Sequence, residues 1–167
     1  MDTVFEIERR YLIRYPDLTK LEELCSVTEI VQTYLLPDET WPTNRVRKRG
    51  REGEYSYTHT RKRRVSEIRR IEEEIIISEE EYLRLLERKD PERNVINKLR
   101  FCCPYNGKIF EIDIFSFWSD RAIMEIELND EREHFDIPPF IDVIREISND
   151  GRYTNAALAK EIPDESI

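Results

Sequence analysis

Glu6-Ile7-Glu8-Arg9-Arg10 puts charged residues at alternate positions in a stretch that otherwise reads as a β-strand. Side chains alternate across a strand, so Glu6, Glu8 and Arg10 share one face while Phe5 and Ile7 point to the other. Met124-Glu125-Ile126-Glu127-Leu128 repeats the device more than a hundred residues later. A half-buried strand facing water also alternates in this way, so one such strand decides little. A chain that carries both signs of charge on one face of nearly every strand asks for another explanation.

The 167 residues suit a single domain, 1–167, with one core of ordinary size. The chain is 38% charged, yet its apolar residues recur at regular spacing, which argues against disorder. A net charge of −9 disfavours nucleic acid as a partner, although basic residues cluster at 45–51 and 61–64. Such clusters fit either a solvated strand face or a local polyanion site. Cys25, Cys102 and Cys103 lack metal or disulfide spacing, which predicts packed, reduced thiols and a cytoplasmic protein. With neither a charged-then-apolar leader nor a long apolar run, no secretion and no membrane partner are expected. His59 and His134 lie far apart without metal-ligand context and read as incidental.

Strands are predicted over residues 4–12, 27–36, 45–49, 54–63, 69–77, 95–103, 109–116 and 122–129. Tyr105-Asn106-Gly107 supplies a tight hairpin signal, and Gly50 to Gly53 marks another turn. Helices are predicted over 17–25, with Leu18, Leu21 and Leu24 on one side, and over 78–88, opened by a Ser78/Glu81 capping box. Tyr82, Leu85 and Leu86 form the stripe of the second, and Pro91 stops it. Pro138 and Pro139 open an amphipathic segment at 140–147, and a last helix is predicted over 154–161.

The strand faces collect Glu6, Glu8 and Arg10, then Arg45 and Arg47, Lys62, Arg70, Glu72 and Glu74, Lys98 and Arg100, Glu111 and Asp113, and Glu125 and Glu127. A sheet of about eight strands tends to curl or close, since closure removes exposed edges. The charges then face outward around an apolar interior, or inward around a hydrated lumen with the apolar faces covered by helices. Helices with apolar stripes need something to cover, which favours the second; burying so many charges is costly unless they pair or bind ions, which favours the first. Pattern alone leaves both open.

The chain resembles the CYTH superfamily, the triphosphate tunnel metalloenzymes. Glu6-Ile7-Glu8-Arg9-Arg10 resembles its ExExK signature, with Arg10 in place of lysine. Gln32-Thr33-Tyr34-Leu35 resembles its QxYL strand, Arg45-Val46-Arg47 its RxR strand, and Thr60-Arg61-Lys62 its TxK strand. Arg70-Ile71-Glu72-Glu73-Glu74, Lys98-Leu99-Arg100, Glu111-Ile112-Asp113 and Glu125-Ile126-Glu127 follow in the family's order. Arg152-Tyr153-Thr154-Asn155 resembles the C-terminal motif, with Thr154 where a basic residue is common.

The resemblance implies an α+β, mainly antiparallel fold: an eight-stranded closed β-barrel with helices packed outside and a C-terminal helix. It implies a charged tunnel hydrolysing inorganic tripolyphosphate or an organic triphosphate with Mg²⁺ or Mn²⁺. Hard oxygen ligands suit those ions, and guanidinium forks suit phosphate. By resemblance Glu6, Glu8, Glu111, Asp113, Glu125 and Glu127 are the metal-ligand candidates. Arg45, Arg47, Lys62, Arg70, Lys98 and Arg100 are the phosphate holders, and Arg10, Tyr34, Glu72 and Glu74 the catalytic candidates. Arg10 is expected to hold charge by pairing with phosphate or with Glu8. The superfamily also implies two alternatives, a class IV-type adenylate cyclase and a polyphosphate-binding module with little turnover. Trp41 stacks on an organic group or, more often for such a residue, anchors its loop by packing. The expected partner is a small triphosphate, and the expected assembly a monomer or homodimer.

Overall fold

The computed structural model describes residues 2–167. Eight strands run in chain order: β1 (Asp2–Arg14), β2 (Ser26–Tyr34), β3 (Thr43–Arg51), β4 (Glu54–Arg64), β5 (Arg69–Ile77), β6 (Ile96–Tyr105), β7 (Lys108–Phe115) and β8 (Arg121–Glu127). A ninth, β9 (Val143–Glu146), follows near the C-terminus. The first eight close into an antiparallel barrel in the order β1-β5-β4-β3-β2-β6-β7-β8 and back to β1.

The turns set the registers. Asn106 and Gly107 both have positive φ, the two-residue primed turn whose twist matches the strands it joins, β6 and β7. At the start of the β3–β4 hairpin the chains approach so closely that a Cβ on Gly50 would lie 1.9 Å from the Glu54 carbonyl oxygen.

The apolar strand faces point outward and are covered, so the inward arrangement of charge is the one adopted. Helix α1 (Leu18–Leu24), capped by Asp17, sets Leu21 in a cluster with Phe101, Phe110, Ile112 and Met124 outside β6, β7 and β8. Helix α2 (Glu79–Leu85) starts where Ser78 Oγ accepts from the Glu81 amide, as the capping box predicts, and continues as a 3₁₀ turn to Arg88. Its Tyr82 packs with Val46, Leu35 and Tyr57 outside β3 and β4. A third cluster differs: Leu12, Tyr34, Phe115 and Ile123 fall on the inward strand faces, in line with the charges, and pack with Tyr153 and with Leu158 of α3 (Asn155–Leu158). Each such side chain contributes about 1.5–3 kcal/mol on burial.

Four expectations are corrected. Leu24 is half exposed and adds little to the α1 stripe. Residues 140–147 do not form an amphipathic helix. Their second half is β9, which pairs with Tyr11–Ile13 along the edge of β1 that β5 leaves behind after Ile7. Unpaired backbone groups on that edge need partners, and β9 supplies them. The helix over 154–161 shrinks to the single turn of α3. Cys25 and Cys103 are not packed thiols but a disulfide, tying the end of α1 to β6. Cys102, on the other face of β6, stays free.

Candidate active site

The barrel encloses a cavity of about 370 Å³. Its walls include Glu6, Glu8, Arg10, Tyr34, Arg45, Arg47, Lys62, Arg70, Glu72, Glu74, Arg100, Glu111, Glu125 and Glu127. Fourteen of the sixteen site residues expected from sequence therefore meet in one space. Strand order explains why they do so in two arcs. The neighbouring strands β4, β3, β2 and β6 bring Lys62, Arg45, Arg47 and Arg100, whereas β7, β8, β1 and β5 bring Glu111, Glu125, Glu127, Glu6, Glu8, Glu72 and Glu74. Arg10 and Arg70 are the cations on the acidic side.

Ion pairs bridge and line the two arcs. Lys62 Nζ donates to Glu6 at 2.8 Å, Arg70 to Glu8 at 3.0 Å, and Arg10 Nε to Glu125 at 3.1 Å. Arg10 also donates to the Tyr153 carbonyl at 2.8 Å. Arg10 thus pairs with Glu125, the residue opposite it on β8, rather than with Glu8. Thr60 Oγ1 donates to Glu74 at 3.0 Å.

Lys98 and Asp113 depart from expectation. They do not line the cavity; their side chains are fully buried beside it, with Nζ 2.7 Å from the carboxylate. Arg100 grips the same carboxylate with Nε and Nη2 at 2.7 and 2.8 Å and reaches Glu111 at 3.0 Å. Lys98 also donates to Asn155 at 3.0 Å. Asp113 is held by two cations, Lys98 and Arg100, and stands off the cavity wall, so in this structure it acts as a clamp between them. Lys98 is likewise spent on Asp113 and Asn155 rather than on phosphate.

Charge crowding shifts the titrations in opposite directions. Burial would raise Asp113, but Arg100 and Lys98 outweigh it and hold the carboxyl far below its usual range. Burial would raise Glu125 too, yet Arg10 and Arg100 hold it down at about 2. Glu8 moves the other way: burial, then the charges of Glu125 and Glu6, push it up to about 7 despite Lys62 and Arg10. Glu72 and Glu127 are raised by burial and by neighbouring carboxylates. Burial, with Arg45 and Arg100 nearby, pulls Arg47 down to about 9. The acidic arc holds more negative charge than its own cations neutralise, and the basic arc more positive charge.

Arg45 makes that imbalance concrete. It is buried, and its Nε has no hydrogen-bond partner among the described residues. A buried guanidinium N–H left unpaired costs about 1–3 kcal/mol or more, so such a group marks a place where an acceptor is missing.

Sequence reasoning passed over Arg49, Arg63, Arg64, Thr43, Thr154 and Asn155 as wall residues. Arg49 carried a signal, since Arg45, Arg47 and Arg49 fall on one strand face. Arg64 lies at the end of β4 and bonds the Ser66 and Glu67 carbonyls. Trp41 is buried against Arg61 and Arg63, with its amide bonded to Asp38, so it anchors its loop by packing.

The fold is similar to that of known structures. The inorganic triphosphatase NE1496 is 30% identical, over 96% of this chain and 97% of that one, with a TM-score of 0.60. A putative adenylate cyclase from Bacillus halodurans is 17% identical over 78% of this chain and 84% of that one, with a TM-score of 0.54. The Hippeastrum protein HpAC1, described as a putative adenylyl cyclase with a dominant triphosphatase activity, is 15% identical, over 74% and 80%, with a TM-score of 0.50. The last two share the fold alone. No family model and no curated protein matches the sequence. The chain belongs to the CYTH, or tunnel, superfamily.

Proposed function

We propose that the protein is a divalent-metal-dependent triphosphatase that hydrolyses inorganic tripolyphosphate or a closely related triphosphate inside the barrel. Arg45, buried with an unpaired Nε in a basic arc that faces an acidic one, is the observation that carries this reading. The basic arc suits a chain of phosphates, with arginines contributing forks and Lys62 a point charge. Tyr34 is the sole aromatic residue on the cavity wall among the described residues, so the wall is far richer in groups for phosphate than in aromatic platforms for a base. The kinship with a triphosphatase rather than any feature of this lumen supplies the reaction type.

The acidic arc fits Mg²⁺ or Mn²⁺ in its donor chemistry. Glu6, Glu8, Glu125 and Glu127 offer hard oxygens, and Glu8 is pushed toward neutrality by burial and then by Glu125 and Glu6, as expected where a cation is due. No ready-made cluster of three ligands stands among the described residues, and Glu6, Glu8 and Glu125 are closed onto Lys62, Arg70 and Arg10. Those cations would turn to the phosphates as the carboxylates turn to the metal. A bound ion supplies charge neutralisation at the phosphoryl group and a more acidic water. Arg45, Arg47 and Arg100, all on the cavity wall, would orient the phosphate chain and stabilise charge on its oxygens, and Glu72 and Glu74 would hold a water.

The proposal further places the protein in the cytoplasm, as a monomer or homodimer acting on a small molecule, without nucleic acid or membrane. No helix among the described residues is long and apolar enough to cross a membrane. Because that compartment is reducing, thiol trapping during cell lysis decides whether the Cys25–Cys103 bond exists there.

Thermal shift tests the reading of the lumen. Tripolyphosphate should raise the melting temperature at least as much as equimolar ATP, and Arg45→Ala should remove the response. A strong ATP response with none from tripolyphosphate would favour the cyclase alternative.

A further inference from the structure

Gln32 and Tyr34 lie two apart on β2 and are both buried, Gln32 completely. Arg47, opposite Gln32 in the β2–β3 register, donates from Nε and Nη2 to Gln32 Oε1 at 3.0 and 2.7 Å. A guanidinium has donors and no acceptor, so the amide oxygen must face Arg47. The amide nitrogen is thereby turned toward Tyr34 and donates to its Oη at 2.6 Å. A tyrosine hydroxyl has one hydrogen. Because Oη accepts from Gln32, that hydrogen must point away from Gln32. Tyr34 lines the cavity, opposite Arg45 in the same register.

We propose that Gln32 is a positioning residue: held by Arg47, it orients the Tyr34 hydroxyl as a hydrogen-bond donor to a phosphate oxygen in the lumen. The inference rests on the triphosphate reading above and deepens it. It gives Tyr34 a binding role, one N–H···O–H···O⁻ relay from Arg47 through Gln32 to substrate, and removes it from proton transfer. A hydrogen bond to a charged oxygen is among the stronger kinds, and the arrangement selects acceptor-only ligands such as phosphate oxygens. Gln32 itself does not line the cavity, so its influence on a ligand passes through its two neighbours.

Gln32→Glu tests the polarity. The glutamate keeps the size and still accepts from Arg47, but it has no N–H. Tyr34 then donates to it, and the hydrogen leaves the lumen. Calorimetric titration of metal-free protein with tripolyphosphate should show binding by the wild type, and a loss of about tenfold or more in both Gln32→Glu and Tyr34→Phe. The double variant should lose little beyond either single one. In metal-supplemented turnover the losses should fall on KM, with kcat held within about threefold. Melting temperatures near the wild-type value would show that the barrel stands.

The carboxylate added by Gln32→Glu repels an anion whether or not residue 34 has a hydroxyl. An equal further loss from Gln32→Glu in the Tyr34→Phe background would therefore overturn the proposal, as would unchanged affinity of Gln32→Glu. A loss confined to kcat would overturn it by making Tyr34 a proton-transfer group. A wild type that binds no tripolyphosphate would overturn the lumen reading and this inference with it, whereas binding with additive losses overturns the inference alone.

Discussion

Replacing Asp113 by asparagine separates a clamp from a ligand by the sign of its effect. Asp113 accepts three charged N–H groups at 2.7, 2.7 and 2.8 Å, with no exposed surface on its side chain. Asparagine keeps the shape but removes the charge, which leaves Lys98 and part of Arg100 buried without a counter-ion. Breaking a buried pair in this way costs about 3–5 kcal/mol. With an unfolding entropy of about 2.1 cal/mol/K per residue, that cost lowers the melting temperature of a chain this size by roughly 8–14 °C. Urea unfolding at pH 7 followed by circular dichroism should show a lower midpoint at unchanged m. Glu127→Gln is the control: its carboxyl is raised by burial and by Glu6, Glu111 and Glu72, so removing its charge should leave stability unchanged or higher. A neutral or stabilising Asp113→Asn would mean that its carboxylate is surplus charge awaiting a metal, and the clamp assignment would be wrong.

The metal-free protein should lose stability as pH rises from about 4.5 to about 7. Glu8 binds its proton more tightly folded than unfolded, so its contribution is present below its unfolded pKa and lost through the folded value of about 7. Melting curves in chelator should show this slope, Glu8→Gln should flatten it, and Mg²⁺ should oppose it. On the acid side Glu125 acts in the opposite sense, its contribution being lost as pH falls from about 4.5 toward 2. A lysine ammonium loses its proton more readily than a guanidinium does, so Arg10→Lys should preserve or raise the rate and steepen its alkaline pH dependence, while Arg10→Ala weakens binding more than turnover. Loss of activity in Arg10→Lys at unchanged affinity would assign arginine a transition-state role.

Strands such as β1, β5, β7 and β8 were legible because they alternate apolar and charged residues over most of their length, and the outward-facing clusters around Phe110 and Tyr82 bear out that reading. β9 was not. Phe140, Ile141, Val143, Ile144 and Ile147 are spaced as on a helix, and only the free edge of β1, a long-range fact, turns Val143–Glu146 into a strand. Membership of the cavity wall followed from alternation, since i, i+2 positions share a face. Which charges close on one another depends on register: Arg10 meets Glu125 through a pairing of distant strands that no local pattern encodes, whereas Lys98 meets Asp113 within the β6–β7 hairpin that the Asn106-Gly107 turn fixes. The same holds for Cys25 and Cys103, 78 residues apart. Gln32 was visible as part of a motif, but its polarity became readable only with Arg47 on one side and Tyr34 on the other.

Phosphate release from tripolyphosphate, with Mg²⁺, with Mn²⁺ and with chelator, and from ATP in parallel, tests the central claim most directly. The account predicts phosphate release from tripolyphosphate that requires the metal, disappears in Glu125→Gln/Glu127→Gln while the barrel remains folded, and is not exceeded by release from ATP. Equal release in chelator, no release from a protein that binds tripolyphosphate, or cyclic AMP as the main product from ATP would contradict it.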